Sequence, residues 1–108
     1  LVPEDFAALA ASAPTTGGFI NRISEFYLKF YKDVANLDGC PMHDAAAVLA
    51  CSHPDYFGCE ETGLRVICEG DQVGNTVTDP ARPSVQVATT IDADSTLDLL
   101  KARISALH

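Results

Sequence analysis

Apolar residues in the first third of the chain recur at helical spacing. Phe19, Ile20, Ile23, Phe26, Tyr27, Phe30, Tyr31 and Val34 form one broad stripe. That stripe predicts the strongest helix of the chain, packed against more than one neighbour, with Phe19, Ile23, Phe26 and Phe30 as core. A shorter helix precedes it. Pro3-Glu4-Asp5 opens that helix, because proline suits a first turn and acids suit the positive end of the dipole. The cluster Pro14-Thr15-Thr16-Gly17-Gly18 breaks it. Asn36 to Pro41 read as a loop. Asp44 is then placed to cap a third helix, Ala45 to about Cys51, which ends before Pro54.

The second half changes period. Leu64, Val66 and Cys68 alternate with Arg65, Ile67 and Glu69 as in a strand, and Gly70-Asp71 turns the chain. Thr76-Val77-Thr78 is a second short strand, and Asp79 to Pro83 is a loop. Val85, Val87, Thr89 and Ile91 mark a third strand. Asp94 or Ser95 caps a last helix carrying Leu97, Leu100, Ile104 and Leu107. The expected order is three helices, three strands and a helix, an α/β chain with a small sheet. No repeat or linker divides it, so residues 1–108 read as part of one domain. The long helix asks for more apolar surface than three short strands supply, which hints that more chain or another subunit covers it.

Composition narrows the function. Hydrophobic residues make up 47% of 108, as in a globular chain. A net charge of −8 repels phosphate backbones and argues against nucleic acid as a partner. No apolar run approaches the ~20 residues of a membrane span. The cysteines at 40, 51, 59 and 68 form no C-x-x-C. Buried or half-buried free thiols are expected, and with them a reducing, cytoplasmic setting.

Candidate chemistry concentrates at Pro41-Met42-His43-Asp44. Histidine changes charge near neutral pH and can act as a general acid. Its plainer role is a loop side chain bonded to the backbone. Asp44 is a helix cap in the plain reading and a hard oxygen ligand in the functional one. One carboxylate cannot make a calcium site, which takes six to eight oxygens. Tyr27 and Tyr31, four apart, share a helix edge. They serve either as core or as a wall on which a planar ligand stacks. Cys40, His43, Cys51 and His53 do not have the spacing of a zinc finger.

Taken together, Phe26-Tyr27-Leu28-Lys29-Phe30-Tyr31 followed by Gly39-Cys40-Pro41-Met42-His43-Asp44-Ala45 resembles the inosine-uridine-preferring nucleoside hydrolases. Leu64 to Asp79 is similar to that family's late strand pair, and Val85 to Leu100 to its last strand and C-terminal helix. The resemblance runs over essentially the whole chain but covers only the C-terminal portion of the family. The family's N-terminal aspartate-rich motif has no counterpart here. The resemblance implies an open α/β sheet with flanking helices and calcium-dependent hydrolysis of the N-glycosidic bond of ribonucleosides, in purine and pyrimidine salvage. It implies that His43 protonates the departing base, that Asp44 binds both calcium and ribose, and that Tyr31 and Tyr27 line the base pocket. It also implies a homodimer or homotetramer. The isolated chain is expected to be inactive, with most calcium ligands coming from the remainder of its own chain. A non-catalytic α/β binding or assembly module is the alternative.

Overall fold

The breaker cluster at 14–18 does less than its sequence suggests, because Gly17 serves packing. In the structure, a computed structural model describing residues 1–107, α1 spans Pro3–Ser12 and α2 spans Thr16–Ala35. Gly17 is therefore inside α2, and buried. A Cβ on it would run into the Leu9 carbonyl group, so glycine is what lets the two helices approach. Phe6, Leu9 and Ala13 are buried at this joint.

Two compact units result, one of residues 1–54 and 93–108 and one of residues 55–92. The first holds α1, α2, α3 (His43–Ser52) and α4 (Ala93–Ser105). α4 packs on α1, α2 and α3, with Thr96 buried and Leu97, Leu99, Leu100 and Ile104 half-buried. Leu107, expected among them, lies past the helix and is exposed. The last helix begins at Ala93 with Asp94 in its first turn, so the position before it falls to Asp92. Lys101 lies 3.2 Å from Asp98 and 3.7 Å from Asp5. Its hydrogen bond to Asp98 is the main reason its pKa is raised.

The second unit is an antiparallel sheet of order β2-β1-β3. β1 is Phe57–Val66, β2 is Thr76–Thr78 and β3 is Ser84–Ile91. β1 starts seven residues earlier than its alternation predicts. Phe57-Gly58-Cys59-Glu60-Glu61-Thr62-Gly63 has two glycines and two glutamates and shows no apolar period. Its pairing with β3, from Phe57↔Ile91 to Gly63↔Ser84, makes it a strand. The last three residues of β1 pair instead with β2, from Leu64↔Thr78 to Val66↔Thr76. A bulge between Gly58 and Cys59 leaves Thr89 without an opposite residue. Gly70 and Gly74 have φ of 78° and 91°, values that favour glycine in the connection from β1 to β2.

Among the described residues no disulfide forms, and only Cys40 is buried. Cys51, Cys59 and Cys68 are exposed, against the expectation of buried or half-buried thiols. No helix among them is long and apolar enough to cross a membrane.

Candidate functional site

The site begins where α2 ends. Asn36 adopts the left-handed conformation, φ 51° and ψ 36°, and stops the helix. The Leu37 N–H reaches back to the Tyr31 carbonyl at 3.2 Å. Lys32 Nζ donates to Asp38 Oδ1 at 2.6 Å, and this bond holds the Asp38 carboxyl below its ordinary value.

The loop then meets the segment before α1. The Leu1 nitrogen donates to the Cys40 carbonyl at 3.1 Å, and the Cys40 N–H donates to the Leu1 carbonyl at 2.9 Å. Cys40 is buried, with its thiol 3.9 Å from Met42 Sδ. Sequence reasoning missed this pair of bonds. The one clue was glycine at 39, next to a cysteine and a proline.

His43 is the first residue of α3, and Met42, not Asp44, occupies the capping position without a side-chain cap bond. Asp44 sits in the first turn, where its charge suits the dipole. Asp44 thus serves the helix by charge and not by capping. His43 and Asp44 are both exposed. Among the described residues no ion pair or hydrogen bond engages the Asp44 carboxylate.

Tyr31 is half-buried, with its hydroxyl 3.4 Å from His43 Nε2. The fold therefore brings a phenol, an imidazole and a carboxylate to one helix start. Tyr31 packs edge-on against Phe30, centroids 5.4 Å apart. Tyr27 packs edge-on against Phe26 at 5.8 Å and is exposed. His53 lies at the far end of α3, its Nδ1 2.9 Å from Ser52 Oγ.

The assignment of Phe19, Ile23, Phe26 and Phe30 to the core does not hold. All four are exposed, as is Val34. α1 and α4 pack on α2, but they leave this stripe bare. A shallow hollow lined by Phe26, Lys29, Phe30, Asp33 and Val34 lies on it.

Among the described residues no three His, Cys, Asp or Glu side chains gather as a metal site. Asp44 alone does not amount to a calcium site, which needs six to eight oxygens.

The family model for inosine-uridine preferring nucleoside hydrolases matches residues 1–98. Among solved structures, a plant nucleoside hydrolase superposes on 98% of this chain with a TM-score of 0.91 at 24% identity. A purine-preferring ribonucleoside hydrolase from Gardnerella vaginalis superposes on 97% with a TM-score of 0.81 at 26% identity. The chain spans 37% and 35% of their lengths, little more than a third. No curated protein matches.

Proposed function

This chain belongs to the inosine-uridine preferring nucleoside hydrolase family, and on that premise we propose that it is the C-terminal part of an enzyme that hydrolyses the N-glycosidic bond of ribonucleosides. The observation that carries the reading is the Tyr31 hydroxyl 3.4 Å from His43 Nε2, beside Asp44 at the start of α3. Water adds across the C1′–N bond: its hydroxyl goes to the ribose carbon and a proton goes to the base. Negative charge builds on the base as the bond breaks, and His43 donates the proton that neutralises it. Tyr31 orients the imidazole, and with Tyr27 it offers ring surface to the planar base.

Asp44 would contribute one carboxylate to a calcium ion whose other ligands would come from outside these residues. Calcium bound there would polarise the ribose diol and the attacking water. The remainder of the enzyme covers the apolar stripe of α2, and this chain alone is inactive. The reading carries with it assembly as a homodimer or homotetramer and a place in cytoplasmic nucleoside salvage.

The test is His43→Ala in the full-length hydrolase, assayed on a panel of purine and pyrimidine nucleosides. Loss of general acid catalysis is expected to lower kcat by roughly 10²- to 10⁴-fold. Unchanged turnover of every nucleoside would overturn the acid role.

A further inference from the structure

The loop that delivers His43 is fixed from a side that takes no part in the chemistry. Leu1 and Cys40 exchange two hydrogen bonds across 39 residues of sequence, 3.1 Å from the Leu1 nitrogen to the Cys40 carbonyl and 2.9 Å from the Cys40 N–H to the Leu1 carbonyl. Gly39 lies against the same Leu1 carbonyl. A Cβ at 39 would stand 2.6 Å from that oxygen and 3.2 Å from Val2 Cγ1. The first contact is with backbone, which cannot rotate out of the way. Gly39 does not have a positive φ, so close approach and not backbone conformation calls for glycine here. On the other flank, the Leu37-to-Tyr31 and Lys32-to-Asp38 bonds fix the start of the loop. Between these two anchors the chain passes from the helix that carries Tyr31 to the helix that carries His43.

We infer that Gly39 is a positioning residue for the leaving-group acid, and that the Leu1–Val2 segment is the strap it is pressed against. This rests on the reading of His43 given above. Alanine at 39 has to retreat from 2.6 Å to the 3.4 Å of ordinary contact. The displacement starts four residues before His43, whose ring must meet the departing base at hydrogen-bond distance. A misplacement of about 1 Å is enough to cost on the order of 100-fold in rate.

A substrate pair separates positioning of the acid from general damage. A nucleoside base leaves poorly without a proton, whereas the p-nitrophenolate of p-nitrophenyl riboside leaves without one. In the full-length hydrolase, Gly39→Ala is expected to lower kcat for nucleosides by roughly 10- to 100-fold. It should leave p-nitrophenyl riboside within about 3-fold. Leu1→Pro removes the donor to the Cys40 carbonyl from the opposite side of the contact and is expected to give the same selectivity, more weakly. Gly18→Ala is the control, because its Cβ meets nothing nearer than Arg22 Nη1 at 4.0 Å; both substrates should be unaffected. Equal loss on both substrates, or none, in Gly39→Ala overturns the strap if His43→Ala is itself selective for nucleosides. If His43→Ala shows no selectivity either, the acid role and the strap both fall.

Discussion

The two sides of α2 are built from opposite materials. The side facing α1 uses small residues: Gly17 and Ser24 are buried there, and the Ser24 hydroxyl is satisfied by the Ile20 carbonyl at 2.8 Å. The other side carries Phe19, Ile23, Phe26, Phe30 and Val34, all exposed, Phe26 at 72% and Val34 at 70%. Small residues make the tight joint, and large ones are left bare. Apolar periodicity says that a helix has a face to bury. It does not say that the face is buried against the same chain. Covering one such side chain is worth roughly 1.5–3 kcal/mol, so the stripe represents stabilisation that α1 and α4 leave unused.

The contrast can be broken most sharply at the joint. Phe6 is fully buried, and Phe6→Ala is expected to cost about 3–5 kcal/mol, read as a lower midpoint in urea unfolding of this chain. A loss under about 1 kcal/mol would mean that the α1–α2 joint is not a core. Phe26→Ser on the bare side should change the stability of this chain by no more than about 0.5 kcal/mol. The same substitution in the full-length hydrolase should cost about 3 kcal/mol or more. Equal, small effects in both settings would leave the stripe uncovered in the whole protein and would favour the stand-alone module. The smallest effect belongs to the Lys32–Asp38 pair at the end of α2. Its folded carboxyl pKa lies below the ordinary 3.8, so its contribution is present above that value and is lost as pH falls through the folded pKa. Thermal midpoints of the parent chain and Asp38→Asn should differ slightly at pH 7 in low salt and converge in acid. High salt should shrink the gap at pH 7, since both groups are exposed.

Much of this was legible from residues alone. The order of helices and strands followed from period and punctuation, and the family followed from the aromatic helix leading into Pro41-Met42-His43-Asp44. The start of β1 was hidden because the pairing that makes Phe57–Gly63 a strand comes from β3, 20 and more residues away. Gly17 read as a breaker because sequence cannot tell a glycine that ends a helix from one that lets another helix approach. Asp44 read as a cap, and helix α3 simply starts two residues earlier, at His43. The nearness of Tyr31 to His43 depends on how the loop folds back onto Leu1, a pairing with no local pattern.

The division of β1 between two partners has a consequence for how the sheet comes apart. Among the described residues, Phe57–Gly63 pairs with β3, and Leu64–Val66 pairs with β2. The change of partner falls at Gly63, where a Cβ would collide with the Asp79 carbonyl and stand 2.5 Å from that of Arg82. Gly63 itself is held from both edges, paired with Ser84 on one side and accepting the Asp79 N–H at 2.8 Å on the other; the stretches flanking it each have one partner strand. The sheet behaves like two zips sharing one tape: the short one can open while the long one stays closed, and the glycine between them is where opening of either would stop.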